Sequence, residues 1–151
     1  MGTKGRVAVG SDHAAVEAKD KVARRLRELG WEVIDYTVVV DGKADYPKAG
    51  RKVALAVANG DCCKGVLLCG TGLGMSYVAN RIGGVRAALC LNSEYAALSR
   101  EHNDANILVM PGRATICEPH EKILRVWLDT PFSGDERHLR RIRMIDEPDA
   151  E

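Results

Sequence analysis

Aromatic side chains are scarce in this sequence: they make up 5% of 151 residues, with a single phenylalanine. A nucleic-acid module that stacks bases needs aromatic platforms on a basic face, and the formal net charge here is only +1. The arginine-rich stretch "ERHLRRIR" (136–143) is therefore not read as a nucleic-acid arm, and no nucleic-acid partner is expected. No apolar run approaches the roughly 20 residues needed to cross a bilayer, so no membrane partner is expected either. The opening residues, Met1 to Arg6, hold no apolar signal-like segment, and Arg6 stands where a myristoylation pattern needs Ser or Thr. No CxxC pair occurs. The five cysteines (Cys62, Cys63, Cys69, Cys90, Cys117) are odd in number and two are adjacent, which suits neither a disulfide framework nor a zinc site. They are expected to be reduced thiols of a cytoplasmic protein, with Cys90 in "VRAALCL" a small core residue. Repeats and low-complexity segments are absent as well.

What is present is an alternation. Apolar, strand-like runs at 6–12, 31–36, 65–70, 85–91 and 106–112 are separated by segments of helical spacing at 14–30, 46–60, 73–82, 93–102 and 119–129, and a last helix is expected at 135–145. Gly30 closes the first helix, and Pro47 sits in the first turn of the second. The length suits one domain, 1–151. Five strand–helix alternations predict an α/β, three-layer Rossmann-like fold with a five-stranded parallel sheet and an extra C-terminal helix. Ligands of such sheets bind beyond the carboxyl ends of the strands, so chemistry is expected after each strand: Ser11-Asp12-His13, Cys69 to Gly72, Asn92, and Pro111-Gly112-Arg113, with Asp45-Tyr46-Pro47 overhanging them.

The segment "VLLCGTGLGMS" (66–76) is the most informative. Its glycines at 70, 72 and 74 let the backbone turn tightly at a helix start, where N–H groups face an anion. The spacing is neither the dinucleotide fingerprint nor a P-loop, which would require a lysine. Cys69 stands directly before this electropositive turn, a setting that favours a thiolate. A thiolate base beside amides that hold an oxyanion is what proton abstraction next to a carbonyl requires. The plain alternative is that Cys69 is the last core residue of its strand. Likewise Asp12 could be an N-cap, His13 a local hydrogen-bonding residue and His102 a surface histidine. Arg137 and Arg141, four apart on one helical face, suit a bidentate phosphate grip or a solvated basic face.

Taken together, "VGSDHAA", "DYP", "CGTGLGMSYVANRIGGVRAAL", "SREHNDANIL", "GR" at 112–113 and "RHLRR" resemble the type B ribose-5-phosphate isomerases, in the family that also holds galactose-6-phosphate isomerase. The resemblance covers nearly the whole chain. It implies an aldose–ketose isomerase interconverting ribose 5-phosphate and ribulose 5-phosphate through an enediolate, without metal or cofactor. By the same resemblance Cys69 moves the proton between C1 and C2, and Thr71 assists at the sugar oxygens. The amides of Gly70, Gly72, Leu73, Gly74 and Met75 hold the enediolate. Asp12 and His102 serve ring opening, and Asn103 orients the sugar. His13, Arg113, Arg137 and Arg141 bind phosphate, and Tyr46 covers the site. The implied assembly is a homodimer or a dimer of dimers, with His102 and its neighbours reaching the partner's site.

The sequence departs from that pattern in four places. Tyr77 replaces a small aliphatic residue, Asn92-Ser93 an acidic one, "PGRATICEP" lacks a glycine after Arg113, and "SGDERH" is less glycine-rich before Arg137. These changes leave room for another sugar phosphate on the same scaffold, such as a tetrose, allose or galactose phosphate. A non-catalytic sugar-phosphate-binding protein is the other alternative, but such a protein has no use for Cys69 and His102 together. An apolar stripe through Ile123, Leu124, Trp127, Ile142 and Ile145 is expected to seek cover from a second copy.

Overall fold

The computed structural model describes residues 2–147 and Asp149. Five strands are parallel and ordered β2-β1-β3-β5-β4, comprising β1 (Arg6–Ser11), β2 (Glu32–Asp35), β3 (Lys64–Cys69), β4 (Ala87–Leu89) and β5 (Ile107–Pro111). The helices are α1 (Val16–Glu28), α2 (Tyr46–Ala58), α3 (Leu73–Ala79), α4 (Ser93–Asn103), α5 (His120–Asp129) and α6 (Glu136–Asp146). A 3-10 turn, His13–Ala15, precedes α1. The alternation and the extra last helix are as the spacing predicts. The end elements are shorter, most of all β4, which pairs only with Ile107–Val109 of β5.

Side chains alternate across the sheet as the period of two demands. Val7, Val9, Val66, Leu68, Leu108 and Met110 pack against α1, α4 and α5, whereas Ala8, Leu67, Ile107, Val109 and Cys69 pack against α2 and α3. Both faces are covered, which is why the central strands read as continuous apolar runs rather than alternating ones.

One expectation fails for its α5 half. Ile123, Leu124 and Trp127 are fully buried within their own chain, against the sheet. Trp127 also lies beneath the cations of Lys64 and Arg100, at 5.1 and 5.6 Å. Burying an aromatic ring of this size contributes about 4–6 kcal/mol, so the α5 stripe needs no partner. On α6, Ile142 is half-buried and Ile145 is 56% exposed; further open apolar side chains, among them Tyr77 and Tyr95, both 62% exposed, with Leu98 and Leu91, lie on the helices and loop that flank β4 at the sheet's free edge.

Between β1 and β3 the chain reverses the direction in which it adds strands, so their carboxyl ends border a crevice. The amino ends of the same strands lie about 20 Å away, six residues at roughly 3.3 Å each.

Candidate active site

At the carboxyl edge, Cys69 ends β3 and is 4% exposed, on the α2/α3 side of the sheet. Its register partner is Pro111 on β5, and Ser11 of β1 pairs with the adjacent Leu68. Asp12 and Arg113 therefore leave their strands on either side of it. The connection after β5 is bonded to the thiol loop: the Gly112 amide donates to the Cys69 carbonyl at 2.8 Å, and Arg113 and Ala114 donate to Gly70 at 3.0 and 2.9 Å. Arg113 is thus anchored without the missing glycine.

Gly72 caps α3 with φ +81°, and a Cβ there would stand 2.5 Å from Leu89 Cδ1, so both conformation and space require glycine. A Cβ on Gly74 would lie 2.7 Å from Cε2 of Tyr46, so the Tyr46 ring rests on the first turn of α3. Helix geometry leaves the amides of Gly72, Gly74 and Met75 without intrahelical acceptors. The Leu73 amide differs from expectation: it donates to Thr71 Oγ1 at 3.1 Å, so it is already used, and the Thr71 hydroxyl proton is left to donate outward. Asp12 accepts from the amides of Ala14 and Ala15 through one oxygen, Oδ1, at 3.0 and 3.1 Å. It is an N-cap, and its second oxygen carries no hydrogen bond among the described residues. His13 is held beside the β2–α2 connection, with Nδ1 3.3 Å from the Ala44 carbonyl.

Two supports at this edge escape sequence reasoning. Lys19, 4% exposed, donates to Asp35 at 2.6 Å and to Thr37 Oγ1 at 3.3 Å, and Thr37 Oγ1 accepts from the Ser11 amide at 3.1 Å. Burial opposes the Lys19 charge, but the Asp35 and Asp20 carboxylates outweigh it and raise its pKa; burial likewise works against the Asp35 charge, and Lys19 and Thr37 outweigh it and lower that pKa. The acidic group expected near Asn92-Ser93 comes instead from Glu118, whose carboxylate accepts from the Ser93 amide, while Asn92 caps α4 by accepting from Tyr95 at 2.9 Å. Lys122 and Ser93 hold the Glu118 carboxyl down to about 2.

The remaining expected residues sit at the opposite edge. Helix α4 starts at the carboxyl end of β4 and runs back, so His102 and Asn103 finish beside the start of β5. The Asn103 carbonyl accepts from Arg86 Nε at 2.9 Å, just before β4. Arg86 also bonds Asp146 at 2.6 Å, which ties the end of α6 to the same edge. Near the start of α6, His138 lies against His102 with ring centroids 4.5 Å apart. Arg137 and Arg141 are exposed on this helix, whose first turn is capped by Asp135 accepting from the Arg137 amide at 3.1 Å. One chain therefore does not bring Asp12 together with His102, or Cys69 together with the two arginines. A groove of 630 Å³ between α1 and α5 reaches Gly112 and Arg113 but not Cys69. Two of its cations are matched within the chain, Lys21 by Glu17 and Arg25 by Glu121, and the groove does not reach the thiol, so the chemistry is assigned to the strand ends rather than to this groove.

The description Ribose/Galactose Isomerase belongs to the family profile that matches residues 7–145. Ribose-5-phosphate isomerase B of Escherichia coli (strain K12) is 39% identical over 140 residues, 93% of each chain. D-erythrulose-4-phosphate isomerase of Pectobacterium atrosepticum is 36% identical over 129 residues, 85% of each. The crystal structure of a ribose 5-phosphate isomerase from Thermotoga maritima superposes with a TM-score of 0.88 at 49% identity, covering 95% of this chain and 99% of that one. A family profile over residues 7–145 and these enzymes, similar over most of their length to a chain whose 2-1-3-5-4 sheet carries a cysteine and a glycine turn at its switch point, place the chain in the ribose/galactose isomerase family of aldose–ketose isomerases.

Proposed function

We propose that the chain interconverts ribose 5-phosphate and ribulose 5-phosphate in the cytoplasm, as a homodimer whose sites each use both chains. The observation that carries this reading is the position of Cys69: at the end of β3, between the strand ends that lead to Asp12 and Arg113, and heading a turn whose amides at 72, 74 and 75 lack helical acceptors. The thiolate takes the C2 proton of the open-chain aldose. The charge that develops on the sugar oxygens meets those amides and the Thr71 hydroxyl, and the proton returns at C1. Asp12 and the partner copy's His102 open the furanose ring, Asn103 orients the chain, and His13, Arg113, Arg137 and Arg141 hold the phosphate. Tyr46, resting on Gly74, covers the reacting end.

The separation of the two edges supports the reading that a second copy completes each site. The exposed apolar flank at β4, with Tyr77, Tyr95 and Leu98, supplies the surface on which it docks. Purified protein should convert ribose 5-phosphate with a higher kcat/KM than C4 or C6 aldose phosphates. Preference for a tetrose or hexose phosphate would transfer the activity to that substrate, and no turnover of any would leave a binding protein.

A further inference from the structure

His138 plays no part in the roles assigned above, yet it is 7% exposed and lies against His102 with the rings tilted by 34°. Ser133 holds it, with Oγ 2.8 Å from His138 Nδ1. The same oxygen accepts from the Asp135 amide at 3.1 Å, and the Ser133 amide donates to the Glu101 carbonyl at 3.0 Å. The loop before α6 is thus fastened to α4 one residue before His102. Oγ has two lone pairs and one proton, so beside the amide it can pair with Nδ1 in either imidazole tautomer. This bond fixes the orientation of the His138 ring. By contrast, no hydrogen bond holds the His102 ring among the described residues, and the rigid ring of His138 is the wall it lies on.

We propose that His138 is a positioning residue: locked by Ser133, it sets the ring of His102 at the angle from which His102 meets the sugar. The inference rests on the reading of His102 as a group that touches the sugar. Misplacing a reacting group by about 1 Å can cost roughly a hundredfold in rate. His138→Ala should therefore lower kcat for ribose 5-phosphate about ten- to a hundredfold and leave KM within about twofold. His138→Phe, which keeps a flat ring, should regain most of that loss. His138→Gln, which can accept from Ser133 but cannot stack, should not. These two variants carry the comparison if the alanine variant does not fold.

A double-mutant cycle settles whether the effect runs through His102. In a His102→Ala background, His138→Ala should cost nothing more. An equal loss in both backgrounds would overturn the inference. So would a raised KM with unchanged kcat, since His138 would then serve the phosphate arginines of its own helix. Loss of activity in His102→Ala with full activity in His138→Ala overturns this inference alone. Full activity in His102→Ala overturns the reading of His102 and this inference with it.

Discussion

The two edges of the one sheet are built by different means. At the carboxyl edge the bonds that shape the site run mostly to backbone: Asp12 to the amides of Ala14 and Ala15, Thr71 to that of Leu73, a left-handed Gly72 between strand and helix, and the amides of Gly112, Arg113 and Ala114 to the carbonyls of Cys69 and Gly70. At the amino edge long side chains do more of the joining. Arg86 reaches Asp146, 60 residues away, the loop of Ser133 is fastened to Glu101, and His138 lies on His102. A reacting carbon needs a thiol and amides held by stiff backbone, and strand ends give that. Groups that, as proposed, approach from another chain need a platform, and side-chain clamps give that.

The largest effect should come from the carboxyl edge. Cys69→Ala is expected to lower kcat by about 10²–10⁴-fold in a ribose 5-phosphate assay, with melting temperature and KM little changed. Near-normal turnover would remove the thiol from the mechanism. Next in size are the amino-edge arginines. Hydrogen bonds between charged partners are worth about 1.5–3 kcal/mol, so Arg137→Ala and Arg141→Ala should each raise KM roughly ten- to a hundredfold, with a smaller fall in kcat. Steady-state kinetics on sugar phosphate and on the free sugar check this, because the free sugar should lose little further.

Those two results also mark how much could be read from the chain alone. The β-branched runs, the glycine C-cap and the Pro47 helix start gave the layers, because each is a local signal of its own element. Cys69, Asp12 and the glycine turn were legible because strand ends in a parallel sheet share one edge. Which residues share an edge with Arg137 was not legible, since α6 is placed by Arg86 and His138 rather than by its own pattern. The α5 stripe misled for the same reason: an apolar periodicity tells that a face is buried, and only the fold tells against what. His138 had one signal, its place between the two arginines in "RHLRR".

A smaller effect tests the clamp. Arg86→Met removes bonds to Asn103, Asp104 and Asp146 and should lower the melting temperature by about 4–10 °C. It should also raise KM severalfold while leaving the reactivity of Cys69 with iodoacetamide unchanged; loss of that reactivity would mean that the edges are not independent. The smallest effect is electrostatic. Asp35 and Glu118 both have depressed pKa values when folded, so the unfolded chain binds their protons first. Their contribution is present above the ordinary carboxylate range, and that of Glu118 is lost as pH falls from about 4.5 to about 2. Lys19, with a raised pKa, adds stability that is present below its ordinary value of 10.5 and is lost as pH rises through the folded one. Melting temperatures against pH should show a flatter acid limb in Glu118→Gln, and flatter acid and alkaline limbs in Lys19→Met.

The separation of the edges is tested most directly by mixing two strongly impaired proteins, Cys69→Ala and His102→Ala, after dissociation and reassociation. In a mixed dimer one site carries both substitutions and the other carries neither. Random exchange makes half the dimers mixed, so activity should return to about a quarter of wild type. No recovery, with mixed dimers shown by mass spectrometry to have formed, would place each site within a single chain.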